Sequence, residues 1–274
     1  MIKKEVEGII LRICCFKLEN IRSKYKFDYE KILNWDIIDV FADINLEKEY
    51  ILDKNRLIIK CEDTYLHLTT KLILSMKILN NIYDIKQGIL RCGDDLIFNQ
   101  SNLINFLKIN NKNDYIGKNF NKKDIINPLI NINFKNSITD TFMINYYNRH
   151  ESDKLYINKC LDKYKKNINN INILPAIRDY IALGHIYYLS NKSINIIINN
   201  FKELDDNLNF SIIYDQENKY YPYVYEDIAI GYILFKNNII FTNYPEMWFN
   251  SHYQNFDTEP LKYVCSHTNE GNIF

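Results

Sequence analysis

Apolar residues along this chain come in short blocks separated by charged and Asn-rich stretches, and the spacing inside each block distinguishes strand from helix. Residues 8–16 form a β-branched, apolar run broken only by Arg12, which suits a strand covered on both faces. Residues 37–41 and 57–60 repeat that character and predict a second and a third strand. After Cys61-Glu62-Asp63 the period changes. Tyr65, Leu68, Leu72, Met76 and Leu79 recur at three- and four-residue intervals, which predicts a helix with one buried face, capped by Asp63. Lys71 falls on the polar side of that helix. Residues 88–92 predict the next strand, followed by the turn Gly93-Asp94-Asp95, a short apolar segment at 96–98 and a helix at 101–107. A strand, a helix and a strand in succession predict a parallel crossover.

The middle of the chain, 110–172, is polar, Asn-rich and weakly periodic, and predicts loops, insertions and edge strands. Order returns at Ile173. Residues 182–189 predict a strand around Gly184, and Ser190 is placed to cap a helix reaching about Phe201. Beyond a Tyr-rich stretch, Pro222 precedes Glu226-Asp227, and 228–235 form another apolar element. The tail carries Trp248, His252 and His267. With no repeat and no linker, 274 residues predict a single domain, since α/β enzymes of this length commonly form one unit.

Composition narrows the function. Lys plus Arg and Asp plus Glu are equal at 34 each, so no net field draws the chain to nucleic acid or to an anionic membrane. The longest apolar run at the start contains Arg12 and is far shorter than the ~20 residues a spanning helix needs. The expectation is a soluble, cytoplasmic protein without a membrane span. Cys14, Cys15, Cys61, Cys92, Cys160 and Cys265 lie in apolar surroundings without a CxxC pair, which predicts reduced core thiols rather than a zinc framework or disulfide scaffold.

The candidate chemistry sits at Gly93-Asp94-Asp95. In open α/β sheets, ligands bind at the carboxyl ends of the strands, and two carboxylates directly after a buried strand can hold the hard cation that offsets a departing diphosphate. The same tripeptide serves as an acidic surface turn elsewhere, and it occurs in RNA-dependent RNA polymerases. A polymerase needs a longer chain and a basic channel, which this short, charge-neutral sequence lacks.

Four blocks, in order, resemble the β-1,3-glycosyltransferases of galactosyltransferase and Fringe type. Ile21-Arg22-Ser23-Lys24-Tyr25 is similar to their Ile-Arg-x-Thr-Trp. Asp63-Thr64-Tyr65 through Leu68-Thr69 to Lys71 is similar to Asp-Ser-Tyr-x-Asn-Leu-Thr-x-Lys. Arg91-Cys92-Gly93-Asp94-Asp95 with Asn99 is similar to Lys-Thr-Asp-Asp-Asp and a following Asn. Gly184 with Tyr187 to Ser190 resembles Gly-Gly-Gly-Tyr-Val-Leu-Ser, and Glu226-Asp227-Ile228-Ala229-Ile230-Gly231 resembles Glu-Asp-Val-Tyr-Val-Gly. The resemblance spans residues 9 to about 235. It implies a single GT-A type domain of α/β class, with a mixed, mostly parallel sheet flanked by helices. Residues 1–109 would form the donor half and 173–274 the acceptor and catalytic half.

The implied activity is inverting transfer of a hexose or N-acetylhexosamine from a UDP-sugar to a hydroxyl of a glycan or glycoprotein acceptor, with a β-1,3 linkage and Mn²⁺ or Mg²⁺ as cofactor. By the same carry-over Asp95 is the metal ligand and His267, chosen over His252 by position, completes the metal site. Asp94, Arg22, Asp63, Lys71 and Gly184 contact the donor. Asp227 is the catalytic base, and Glu226 orients acceptor or buttresses the turn. Gly93 departs from the family's first acid, His67 from its Asn, and Ile186 from a small residue. The family's lumenal anchor helix has no counterpart here, as expected of a cytosolic or virus-encoded enzyme. A sugar-binding protein of the same fold without turnover is the alternative. His185 is expected to be a core or rim histidine, and the cluster Tyr220-Tyr221-Pro222-Tyr223 a stacking or packing surface.

Overall fold

A computed structural model of the chain describes residues 3–27, 29–63, 67–109, 112–119, 131–132, 174–175, 181–200, 212–214, 220–222, 226–250 and 262–267. The expected first strand is β1, Lys4–Ile13. A short helix follows at Glu19–Arg22 (α1), then β2 at Lys31–Ile32 and β3 at Trp35–Ala42. A hairpin of β4 (Tyr50–Asp53) and β5 (Arg56–Ile59) turns through Lys54, whose φ is 51°. Helix α2, Leu68–Ile82, runs directly into β6, Tyr83–Gly93. Next come β7 (Leu96–Phe98), α3 (Gln100–Ile109) and β8 (Tyr115–Gly117), with β9 (Asn131–Ile132) and β10 (Leu174–Pro175) as a separate two-stranded pair. The second half contributes β11 (Ile186–Ser190), α4 (Asn191–Asn200), the hairpin β12 (Ile212–Tyr214) and β13 (Tyr220–Pro222), α5 (Glu226–Lys236), β14 (Phe241–Asn243), β15 (Trp248–Asn250) and β16 (Cys265–His267).

The main sheet has nine strands in the order β14-β8-β11-β6-β1-β3-β5-β4, with β2 on β3. Six of them, β1, β3, β5, β6, β8 and β14, point the same way, while β2, β4 and β11 run against them. The protein is therefore of α/β class with a mixed, mostly parallel sheet. The β5–α2–β6 succession is the expected parallel crossover. It passes over β3 and β1, because β6 pairs with β1 on the far side of β3.

Alternation along the strands divides the core between two helical layers. Ile9, Leu11 and Ile13 join Val40, Leu57, Ile89 and Leu189 beneath α2, α4 and α5, which supply Leu72, Met76, Ile194, Ile197, Ile230 and Leu234. Ile10, Ile37, Leu90, Cys92 and Ile186 face the other way. There they meet Leu103 and Phe106 of α3, Trp248 and Cys265 of the small sheet β15-β16-β7, and Val264 just before β16. A period of 2 in buried strands and of 3.6 in the covering helices thus produces helices on both faces.

Local differences from expectation have local causes. Helix α2 begins at Leu68 with His67 in the cap position, so Asp63 does not cap it; Asp63 bonds elsewhere, as described below, and Tyr65 lies outside the described residues. Strand β6 starts at Tyr83, five residues before Gly88, because Tyr83 and Ile85 are buried while Asp84 and Lys86 are exposed, an alternation that lets polar residues occupy the strand's beginning. Strand β11 begins at Ile186, so Gly184 and His185 precede it. The cap of α4 is as expected: Ser190 Oγ accepts the Ser193 amide at 3.2 Å. Cys14, Cys61, Cys92 and Cys265 are buried free thiols and Cys15 is half-buried, while Cys160 lies outside the described residues. No helix among them is long and apolar enough to cross a membrane.

Candidate active site

The carboxyl ends of the parallel strands come together. Ile13 of β1 stands beside Val40 of β3 and Gly93 of β6, and Ala42 stands beside Ile59 of β5. The segments leaving these ends carry Arg22, Asp63, and Asp94 with Asp95. The topology therefore delivers residues distant in sequence to one edge of the sheet, where α/β folds bind ligands.

Asp94 and Asp95 leave β6 with different environments. Asp94 is 3% exposed, and its Oδ1 accepts from Arg22 Nη1 at 2.5 Å. Burial raises its pKa against the opposing pull of Arg22. Asp95 meets Arg22 Nη2 at 3.4 Å and His267 Nε2 at 3.1 Å through Oδ2. Burial alone would raise its pKa too, but the His267 bond and the Arg22 charge outweigh it and hold the carboxyl at about 2. His267 arrives from β16, where it pairs with Leu96 of β7, so the chain's tail returns alongside the segment that follows the turn. His185 completes the surroundings. Its ring stacks on Trp248 at 4.1 Å and meets His267 edge-on at 4.5 Å. Burial first, then the neighbouring His267, lowers the His185 pKa to about 3, so its ring is neutral.

Gly93 lacks a side chain for a visible reason. A Cβ there would lie 2.7 Å from Asp95 Oδ1, so the missing side chain makes room for the Asp95 carboxylate. The Gly93 amide donates to His185 O at 2.9 Å, continuing the β6–β11 pairing.

Glu226 and Asp227 occupy the first turn of α5 in different surroundings. Glu226 is 6% exposed. One of its oxygens accepts from Arg91 Nη2 and the other from the Tyr187 hydroxyl. Burial raises its pKa in spite of Arg91. With both oxygens committed to buried donors, Glu226 buttresses the turn. Asp227 is half-buried and packs against Gly184, where a Cβ would stand 3.3 Å from Asp227 Oδ2. Gly184 thus provides space for Asp227 by a close backbone approach.

A second cluster lies at the ends of β1 and β5. Lys71 is 2% exposed, so the polar side of the helix on which it falls is not solvated at this position. Its ammonium donates to Cys14 O and to Asp63 Oδ1, the latter at 2.7 Å. Asp63 Oδ2 accepts the Phe16 amide at 3.0 Å. The lysine can sit among apolar helix positions because its stem is apolar and its head reaches past the helix start to the strand ends.

The expected residues therefore form three groups. Arg22 reaches both Asp94 and Asp95, and Asp95 reaches His267; Lys71 holds Asp63; and Gly184, Glu226 and Asp227 surround the start of α5. His67 is buried at 4% exposure, in keeping with a packed residue. His252 and Tyr223 lie outside the described residues. Sequence reasoning gave no role to Arg91 or to Arg12, which is 2% exposed and donates to Asp39 at 2.7 Å. The available signal was a charged residue inside an otherwise apolar buried strand, a position that demands a specific partner.

Asp95 and His267 bond directly to each other, and they are two side chains of this cluster that could contribute ligands to a cation. Neighbouring ligands on an octahedral ion, each bonded at about 2.1 Å, lie about 3.0 Å apart, close to the 3.1 Å observed. Among the described residues no group of three or more His, Cys, Asp or Glu side chains is placed to hold a metal ion. No protein-family model matches the chain, and no curated protein matches it significantly.

Proposed function

We propose that the protein is an inverting glycosyltransferase that moves a hexose or N-acetylhexosamine from a UDP-sugar to a glycan hydroxyl, with a GT-A type arrangement and a β-1,3 product. The observation that carries this reading is the 3.1 Å contact between Asp95 and His267, 172 residues apart in sequence, at the carboxyl edge of a mostly parallel sheet. Both had been singled out, from the resemblance alone, as one metal site. Mn²⁺ or Mg²⁺ bound between them would neutralise the diphosphate as it departs.

The chain's own residues supply the rest. Arg22 adds a positive charge beside the acidic turn and suits the diphosphate side of the donor. Asp63, fixed by Lys71, offers a carboxylate for hydroxyl or ring N–H groups of the nucleoside. Asp227 is the base: it removes the acceptor hydroxyl proton as that oxygen attacks the anomeric carbon from the face opposite UDP. It stands in the first turn of α5, at the positive end of the helix dipole. Glu226 cannot take that part while both its oxygens accept buried hydrogen bonds.

The test is UDP release from a panel of UDP-sugars with sugar acceptors, with and without Mn²⁺. Transfer by the wild-type chain and a loss of about 10³-fold or more in Asp227→Asn are expected. Full activity in Asp227→Asn removes the base assignment. Tight UDP-sugar binding without transfer to any acceptor favours a sugar-binding protein of the same fold, and binding of RNA instead favours nucleotidyl transfer.

A further inference from the structure

We infer that Arg91 is a positioning residue for Asp227, setting where the catalytic carboxylate stands relative to the acidic turn; this rests on the transferase reading above. Arg91 lies on β6 two residues before Gly93, opposite Leu11 on β1 and Tyr187 on β11. It is 4% exposed. Its Nη1 donates to Gly184 O and, at 3.4 Å, to His185 O, while Nη2 donates to Glu226. Its face covers the Tyr187 ring at 5.5 Å, and the Tyr187 hydroxyl takes the second Glu226 oxygen.

One guanidinium therefore holds two neighbours of Asp227. It fixes Glu226, the preceding residue on the same helical turn. It also fixes the carbonyl of Gly184, the residue against which the Asp227 carboxylate packs. The same side chain belongs to β6, which leads through Gly93 into Asp94 and Asp95, so the acidic turn and the base are tied through a single planar fork.

Stability alone does not call for such a unit. Buried ion pairs often do no better than apolar side chains of equal volume, because desolvation offsets their attraction. What the fork adds is direction: arginine makes several hydrogen bonds at fixed angles, whereas a lysine ammonium acts as a point charge. A base displaced by about 1 Å can cost about 10²-fold in rate.

The experiment compares Arg91→Lys and Tyr187→Phe with wild type. Arg91→Lys keeps the charge opposite Glu226 and loses the bond to Gly184. It should preserve the thermal shift produced by UDP with Mn²⁺ and keep the donor KM within about threefold, while kcat falls by about 30- to 100-fold. Tyr187→Phe leaves the fork intact and should lower kcat by less than about tenfold. The double variant Arg91→Met/Glu226→Leu avoids a stranded charge; it should fold with a Tm near that of wild type, keep the UDP shift and lose turnover. A kcat within twofold of wild type in Arg91→Lys overturns the inference, as does a loss of kcat matched by an equal loss of UDP binding. Should wild type release no UDP from any donor, the transferase reading fails instead. Hydrogen exchange then decides the positional claim: Arg91→Lys must speed exchange of the first amides after α5 begins, relative to α2, and unchanged exchange overturns it.

Discussion

At the scale of single residues, the two carboxylates of the acidic turn show how environment divides like groups. Asp94 is buried against Arg22 with a raised pKa, while Asp95 is held at about 2 and faces His267. Of the two, Asp95 has the oxygen 3.1 Å from His267 Nε2, and in the proposed site it is the one that would meet the cation. Metal affinity should therefore depend far more on Asp95 than on Asp94. Mn²⁺ binding followed by electron paramagnetic resonance should weaken about 100-fold in Asp95→Asn and about tenfold or less in Asp94→Asn; equal losses would refute the division. Gly93 supplies a finer probe. A methyl group at that position crowds Asp95 Oδ1, so Gly93→Ala should weaken Mn²⁺ binding by about tenfold through rotation of that carboxylate. Folding should be little affected, because the crowded atom is the end of a side chain. Unchanged or tighter Mn²⁺ binding in Gly93→Ala would show that the glycine has another purpose.

At the scale of elements, the contact of Lys71 with Asp63 ties the start of α2 to the ends of β1 and β5. Removing the cation leaves the Cys14 carbonyl and the Asp63 carboxylate without their donor. Lys71→Met should cost about 2 to 3 kcal/mol, below the usual loss for a fully buried pair because Asp63 is 19% exposed at its side chain. Adding Asp63→Asn should recover part of that loss in urea unfolding; no recovery would mean that the lysine acts through packing alone. This contact also marks where sequence reading succeeded and where it stopped. Strands β1, β3, β5 and β6 and helices α2 and α3 were legible because their apolar positions keep one period across the element. The Lys71 contact was not, since an amphipathic pattern assigns a face to the Cα and cannot follow a four-carbon stem to a partner on another strand. The beginning of β6 and the late start of β11 were obscured for a related reason. Polar residues at a strand's end and a backbone that approaches Asp227 at Gly184 depend on neighbours that no local window contains.

At the scale of the whole molecule, the site exists because β6 lies between β1 and β11 while the tail returns through β16 to β7. The resemblance supplied Asp95 and His267 as partners; the sequence pattern alone could not, since its resolution ended before the tail. That return path also encloses His185 between Trp248 and His267, and its burial there should make stability fall in acid. An unfolded histidine titrates near 6.5, whereas burial holds folded His185 at about 3. The folded state therefore binds fewer protons than the unfolded state between those values. Stability from this group is complete above pH 6.5 and declines as pH falls toward 3, by up to about 1.4 kcal/mol per pH unit. Asp94 and Glu226, with raised pKa values, oppose this, because they take up protons in the folded state first and gain stability as pH falls. Asp95, held low, adds to the loss only below about pH 4, down to about 2. Urea unfolding with a chelator present, at pH 7.5 and at pH 5, separates these contributions. His185→Gln should reduce stability at pH 7.5 through the lost stack on Trp248, yet lose about 1 to 2 kcal/mol less than wild type between pH 7.5 and pH 5. Parallel losses in the two proteins would mean that the ring is open to protons in the folded state, and that the tail does not close over the acidic turn as tightly as its contacts with Trp248 and His267 require.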